Sequence, residues 1–455
     1  MIKHKLTKGY DVKLAGKTDK FRSPAERSQF YALQPPDFPG IKPKLEVEVG
    51  TIVKIGTPLF IDKQNADIKF VAPASGVVSG ITRGERRSIQ EIIIKTDDRD
   101  EYEEFTSYDA KKIENATREE LIKEMLSGGI WPYIRQRPFS RIADATAQPR
   151  DIFIVGMDTA PLAPDYKMLL DGQEDYFALG LKILARLTEG KLFLSVDGSA
   201  EERPKAFENL EGVEVHTFAG PHPVGNPSVF MHHVKPINVG EIVWYIYAAH
   251  VALIGKFFQY GKFPIERLIA VAGSSIREGI RKYYDVRLGL PIQALVNEGA
   301  LSDENVRYIS GNVFSGRKLY ENGFMGFYDN LLTVIPESTQ RDFFGWLTPG
   351  LKDESFSRTF LSRFFRSDEY VKDTRMHGGK RAFIQTGDYE KLMPMDILPS
   401  HLVKAIMAEE IEDMIGLGLL EVDEEDFALC SYICPSKIDF GDYIRQGLEI
   451  LEKEG

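Results

Sequence analysis

Ile152-Phe153-Ile154-Val155 is an unbroken apolar run. Such a run marks a strand buried on both faces rather than one that alternates. The segments after it decide the fold. Phe177, Leu181 and Leu184 recur at helical spacing and predict a helix over about 174–188, while 191–196 and 213–218 read as two further strands with a short helical stretch at 201–209 between them. Strand–helix–strand alternation at these lengths predicts a three-layer α/β domain on parallel strands. Upstream, Thr117-Arg118-Glu119-Glu120 is a capping box opening a helix through Leu121, Ile122, Met125 and Leu126, which Gly128-Gly129 ends. Downstream, Asn238-Val239-Gly240-Glu241 reads as a second capping box, opening a helix to about Ile254.

On the N-terminal side the pattern changes. Leu45, Val47 and Val49 alternate with Glu46 and Glu48, and short apolar runs punctuated by Gly50 and Gly56 predict a small all-β unit. Six acids in 97–104 then read as a linker or exposed loop, because such a run resists packing. On the C-terminal side, 267–272 and 306–310 read as strands around a short helix at 292–297, a compact third module. After mixed signals over 325–395, Leu402, Val403, Ile406, Met407, Ile411, Met414 and Ile415 read as one amphipathic helix. The expectation is a mixed α/β, multidomain chain divided at 1–105, 106–257, 258–330, 331–395 and 396–455.

The chain has 455 residues, with 57 Lys+Arg against 68 Asp+Glu and a formal charge of -11. That balance argues against nucleic acid, whose phosphates need a concentrated positive field. Residues 1–44 carry ten Lys/Arg and four Asp/Glu. The simpler reading is a solvated tail that hugs the acidic body, and the sharper one is a docking arm for an acidic partner or lipid surface. The N-terminus has no apolar signal-peptide core, and the longest nearly uncharged apolar run, 242–255, falls short of the roughly 20 residues of a membrane span. Only Cys430 and Cys434 occur, which excludes a disulfide framework and points to a reducing compartment.

Three constellations could carry chemistry. Glu424-x-x-Phe427-x-x-Cys430-x-x-x-Cys434-Pro435 has the spacing of an iron–sulfur run, C-x-x-C-x-x-C-x-x-x-C-P, with Glu and Phe at the first two positions. Two thiolates do not hold a cubane, so the pair reads as buried small apolar residues, the remnant of a cluster site. Gly128 to Ser140 contains Trp131, Tyr133, Arg135, Arg137 and Phe139. These bulky residues prevent the backbone cradling that phosphate requires. They read equally as an aromatic and cationic surface for a partner or an aromatic headgroup, or as a core-anchored loop with exposed arginines. Adjacent His232 and His233, read as lying on a strand, would point to opposite sides and suit no zinc pair. No phosphate loop, nucleophile elbow or zinc-protease motif occurs.

Taken together, the chain resembles the A subunit of the sodium-translocating NADH:quinone reductase over essentially its whole length. The stretches that carry this are Arg137-Pro138-Phe139-Ser140, Met157-Asp158-Thr159-x-Pro161-Leu162-Ala163, Gly220-Pro221-His222-Pro223-x-Gly225, Ile309-Ser310-Gly311, Phe344-Gly345-Trp346-x-x-Pro349-Gly350, Glu424-Glu425-Asp426-x-Ala428-Leu429-Cys430 and Ile450-x-Glu452-Lys453-Glu454-Gly455. The resemblance implies a biotinyl/lipoyl-like barrel, a Rossmann-like α/β domain, a β-grasp module of the SLBB type and a helical end resembling a ferredoxin-type domain without its cluster.

It further implies a peripheral component on the cytoplasmic face of a bacterial inner membrane. That component would dock on the flavin-bearing B subunit in the membrane and help form the quinone access region of a complex that oxidises NADH, reduces ubiquinone or menaquinone and exports Na+. That complex uses FAD, FMN, riboflavin, iron–sulfur and quinone; the resemblance implies that none is bound by this chain and that no residue of it is catalytic. More distantly the middle is similar to the FMN- and NADH-binding subunit of complex I and to the C subunit of Rnf complexes, with the flavin loop's glycines lost and one acid kept as Asp158. A soluble flavin-dependent NADH oxidoreductase is the alternative. A carrier domain modified at Lys63 is a third reading, although the hairpin lacks the usual modification signature.

Overall fold

Short apolar segments pair into four sheets, and the N-terminus takes part in three of them. The computed structural model describes residues 1–97, 99–338, 349–351, 354–365 and 367–454. Asp98, the Phe344-Gly345-Trp346 stretch and Gly455 lie outside the described residues. Strand β1 (Ile2–Lys5) adds in parallel to the edge of the α/β sheet, β2 (Arg22–Pro24) adds to the sheet of the third module, and β3 (Phe30–Leu33) adds to the barrel. The segment is therefore neither a solvated tail nor a free arm. It is a strap through three modules.

The barrel-sandwich unit follows as β4 (Pro43–Leu45), β5 (Ile52–Val53), β6 (Pro58–Asp62), β7 (Lys69–Val71), β8 (Gly76–Arg83) and β9 (Ile89–Thr96). Sheets ordered β3-β9-β8-β5 and β4-β6-β7 enclose Phe60 and Phe70, whose rings stack at 4.5 Å. The acidic run after β9 is an exposed loop, as expected, with Asp97, Asp100, Glu101 and Glu104 open to solvent, but it is tied down at several points. Ile55 exchanges backbone hydrogen bonds with Glu101 and Glu103, the Thr57 hydroxyl donates to Glu103, and Arg287 grips Asp100 through two 2.7 Å bonds. The carboxylates of Asp100 and Glu103 are each met by a side-chain donor, which offsets the like charge of the run.

Helices α1 (Ala110–Asn115) and α2 (Arg118–Ser127) lead into the seven-stranded sheet, and the α2 capping box closes through Thr117 and Glu120 as its sequence predicts. The sheet comprises β10 (Arg135–Arg137), β11 (Arg141–Ile142), β12 (Ile152–Gly156), β13 (Leu192–Asp197), β14 (Val213–Ala219) and β15 (Val243–Tyr247) besides β1, in the order β1-β14-β13-β12-β15-β10-β11. Between them run α3 (Tyr166–Leu169), α4 (Glu174–Ala185), α5 (Pro227–Val234) and α6 (Ala248–Tyr260). Helices α4 and α6 cross closely because Gly180 faces the Val251 carbonyl and Gly255 that of Tyr176, leaving no room for a Cβ.

Two local expectations fail here. The Asn238–Glu241 box caps a turn, not a helix. Val243-Trp244-Tyr245-Ile246-Tyr247 is β-branched and aromatic, and it inserts as a strand between β12 and β10. The helix starts at Ala248 and continues through Tyr260, past the division expected at 257/258. His232 and His233 lie on α5, not on a strand.

The third module is a six-stranded sheet, β19-β18-β20-β16-β17-β2, built from β16 (Glu266–Ala272), β17 (Tyr283–Arg287), β18 (Val306–Ser310), β19 (Arg317–Leu319) and β20 (Leu331–Pro336). The segment read as a helix at 292–297 is a single turn, Ile292–Ala294. The C-terminal module holds α7 (Pro399–Met407), α8 (Ile411–Gly416), α9 (Ala428–Ile433) and α10 (Phe440–Glu454). The single amphipathic helix expected over 402–415 is two. Glu409 at φ 57 turns the chain between them, a left-handed conformation that ends a helix.

Candidate functional site

In an open α/β sheet, ligands sit outside the carboxyl ends of the strands where strand order reverses. Here β12 leads to β13 and β14 on one side, and the chain then returns to lay β15 on the other side of β12. The reversal therefore falls between β12 and β15. Beyond it lies a cavity of about 1180 Å³, lined by Met157 and Asp158 after β12, Tyr247 and His250 after β15, residues of the third module and residues of the C-terminal module.

Arg135 of β10 lines this cavity, half-buried, with its guanidinium 5.6 Å from the rings of both Tyr245 and Tyr328 and donating to the Ser140 carbonyl at 2.6 Å. Burial works against its charge, but those two rings and Asp423 outweigh that and keep it protonated. Beside it His250, buried in the first turn of α6, packs against Tyr133 at 4.6 Å, and no partner meets its Nδ1. Burial, with Arg267 and Arg135 nearby, lowers its pKa to about 3, so the imidazole is neutral. His222 is likewise neutral, lowered by burial to about 4, stacked on Phe314 at 5.1 Å and bonded through Nδ1 to the Thr159 hydroxyl at 3.2 Å. Asp158 is exposed to the cavity interior, yet the surrounding protein raises its pKa by desolvation against the backbone N–H groups of Ala160 and Thr159.

The other residues singled out by sequence go elsewhere. Trp131 and Tyr133 are buried, the first donating to the Ala143 carbonyl at 2.8 Å and the second hydrogen-bonded by Arg267, so they form no exposed surface. Phe139 is half-buried against the C-terminal core. Arg137 is fully buried and does a different task from Arg135. It donates to the Ser228 hydroxyl at 3.1 Å, pairs with Asp423 at 3.1 Å and stands 5.2 Å from the Tyr245 ring. Burial alone would raise Asp423, but Arg137, Arg445 and Arg135 pull it below the usual carboxylate range. Burial, then Asp426 and Asp423, push Glu425 up to about 8.

Gly128 and Gly129 do not cradle a phosphate. They abut the Phe257 ring and the Val71 side chain, closing α2 onto α6 and the barrel, and their N–H groups bond the Glu124 and Leu126 carbonyls of α2. Cys430 and Cys434 are buried, with Tyr389 donating its hydroxyl to Cys434 Sγ at 3.2 Å and burial pushing the Cys430 thiol up. Lys63 is exposed on the β6–β7 hairpin. His232 pairs with Glu421 at 2.9 Å, and His233 donates to the Pro394 carbonyl at 2.7 Å. Sequence reasoning missed Tyr247, Tyr328 and His250 as a group. Tyr247 ends β15, which was read as helix, His250 lies on α6 without a motif around it, and Tyr328 comes from another module with no local signal.

Residues 4–97 match the NqrA N-terminal barrel-sandwich hybrid domain, 116–263 the NqrA second alpha/beta domain and 268–321 the NQRA C-terminal domain. The chain is 36% identical to the A subunit of the Na(+)-translocating NADH-quinone reductase of Saccharophagus degradans, over 99% of this chain and 100% of that one. The corresponding protein of Yersinia pestis is 36% identical, and that of Neisseria meningitidis serogroup B 35%, each again over 99% of this chain and 100% of the relative. Among solved structures, an NAD+-reducing [NiFe]-hydrogenase in the H2-reduced state aligns at 12% identity and a TM-score of 0.37, over 76% of this chain and 64% of that one.

Proposed function

The chain belongs to the family of A subunits of the Na(+)-translocating NADH-quinone reductase, and on that premise we propose that it docks on the flavin-bearing B subunit in the membrane, on the cytoplasmic face of a bacterial inner membrane, and helps form the quinone access region. NADH oxidation, quinone reduction and Na+ export belong to the complex. On this reading the isolated chain catalyses none of them and holds no flavin, haem or cluster.

The observation that carries the quinone part is the cavity at the strand-order reversal. A quinone headgroup needs an apolar slot with one or two donors. Tyr247 and Tyr328 offer ring faces, Arg135 offers N–H donors, and neutral His250 offers a hydrogen-bonding edge without a charge to solvate. Arg135 is the residue of the original aromatic–cationic stretch that this reading retains.

The test is an azido-quinone photolabelled into the intact complex, followed by peptide mapping. Label is expected on peptides carrying Tyr247 or Tyr328; label confined to the other subunits overturns the quinone role. Arg135→Ala is expected to lower quinone reduction while leaving NADH oxidation by the upstream flavin subunit unchanged. The rival reading, a soluble flavin-dependent NADH oxidoreductase, requires stoichiometric flavin absorbance in the purified chain, and none is expected.

A further inference from the structure

Ser355-Phe356-Ser357-Arg358-Thr359-Phe360-Leu361-Ser362-Arg363-Phe364-Phe365-Arg366 stands out in a chain of net charge -11 because it contains no acid, three arginines and five large apolar residues. The structure splits residues 355–365 into two faces. Phe356 turns inward, edge-on to Tyr10 at 5.4 Å, and Phe360 is half-buried over Gly350. The Leu361 N–H donates to the Pro349 carbonyl at 2.9 Å and the Ser362 N–H to the Gly350 carbonyl at 3.3 Å. The backbone is thus held to the body of the protein. The other face points out, with Leu361 47% exposed, Phe364 69% and Phe365 71%, and Arg358 and Arg363 are exposed as well. Arg363 sits 5.0 Å from the Phe364 ring.

Exposing two adjacent phenylalanines to water is costly, and single scattered apolar residues would need no explanation. These are not scattered. Seven of the nineteen exposed large hydrophobics among the described residues fall between Leu351 and Ile384.

We propose that this face seats directly on an anionic lipid surface, with Leu361, Phe364 and Phe365 at the boundary of the acyl region and Arg358 and Arg363 on headgroup phosphates. Three observations favour lipid over a protein partner. The apolar side chains sit on a short turn and stand proud of the surface rather than lining a groove, which suits a fluid interface. Charge is complementary only locally, since the body as a whole would be repelled by anionic lipid and an acid-free window is what allows approach. The nearest described acid, Glu354, is largely buried and engaged by Lys372 at 3.2 Å. No helix among the described residues is long and apolar enough to cross a membrane, so any direct membrane contact of these residues has to be of this surface kind.

The inference goes beyond the proposed role in the complex and does not depend on it, because it concerns this chain's own surface. The full chain, without its partner subunits, is floated with vesicles of phosphatidylcholine alone or of equimolar phosphatidylcholine and phosphatidylglycerol. Binding is expected to the second and not the first, and raising salt is expected to weaken it. F364S/F365S is expected to reduce bound protein at least about fivefold, and R358Q/R363Q to remove the preference for phosphatidylglycerol. F364W, which keeps the apolar bulk, is expected to bind and to shift its emission to the blue. No binding to the anionic vesicles, unchanged binding of F364S/F365S, or an unshifted F364W emission overturns the proposal. A face that serves only protein partners would give the first of these results and leave the proposed role in the complex untouched.

Discussion

At the scale of single residues, the two arginines of β10 separate structure from function. They are two positions apart, so they point to the same side of the strand. Arg135 ends in a cavity, whereas Arg137 ends in packed protein among Asp423, Glu425 and the Ser228 hydroxyl. Removing one partner of a buried ionic cluster leaves the others desolvated and unpaired, which costs about 3–5 kcal/mol. Arg137→Ala is therefore expected to lower the urea midpoint sharply, and Arg137→Lys to restore little of it, because a lysine cannot span Ser228 and Asp423 at once. Arg135→Ala, facing water in the cavity, is expected to lose far less. A midpoint for Arg137→Ala equal to that for Arg135→Ala would contradict this division. Nothing in the spacing Arg-x-Arg distinguishes the two side chains, because their fates are set by a C-terminal turn nearly three hundred residues away.

At the scale of elements, what the sequence revealed depended on whether an element was stabilised locally. The α2 capping box and the buried strand β12 are written in their own residues, and both appear where expected. Strand β15 is not, because its place is fixed by pairing with β12 and β10, and an apolar stretch can be helix or strand until its neighbours are known. The small all-β unit, the parallel strands β13 and β14 and the strands β16 and β18 of the third module were legible for the same reason as β12. The cavity was not, because it is lined from three modules. The edge strand β1 shows what tertiary contact adds. His4 is stacked on Phe218 at 4.4 Å, and its Nε2 lies 3.0 Å from Nδ1 of His216, whose own Nε2 meets Glu214 at 3.1 Å. His233 of α5 lies 6.2 Å from His4.

Burial lowers the pKa of His4, His216 and His233, and mutual repulsion adds to this for His4, while Glu214 opposes it at His216 and Lys191 and the N-terminus reinforce it. The sign follows. A histidine whose folded pKa lies below its unfolded value binds fewer protons when folded, so stability present above about pH 6.5 is lost as pH falls below it. Proteolysis within the first 24 residues is expected to accelerate between about pH 7.5 and 5, measured against a peptide control for the protease's own pH dependence. His4→Phe, which keeps the stack on Phe218 and cannot charge, should flatten that acceleration. Equal acceleration in the variant would show that the histidines do not hold β1.

At the scale of the whole molecule, the +6 of residues 1–44 against the -17 of the rest is a means of joining modules. Lys20 pairs with Asp165 of the α/β domain at 2.6 Å, Arg22 with Asp285 of the third module at 2.6 Å, and Arg27 with Asp100 beside the barrel at 3.5 Å. Each pair is largely exposed and worth little alone. The strands of this segment matter more, since β1 and β2 each complete the edge of a sheet in a module distant in sequence. Gly16 reinforces this arrangement, because it passes so close to the Gly273 carbonyl that only glycine fits. A connection of this kind couples modules that would otherwise unfold separately. Deleting residues 1–24 is therefore expected to split one thermal transition into at least two, with the third module, stripped of its edge strand β2, melting first. High salt, which screens the ion pairs and leaves the strands, is expected to lower the intact chain's midpoint only slightly. A truncated chain that still melts in a single transition at the original temperature would mean that the modules hold together through their other interfaces, and that the strap follows their assembly rather than enforcing it.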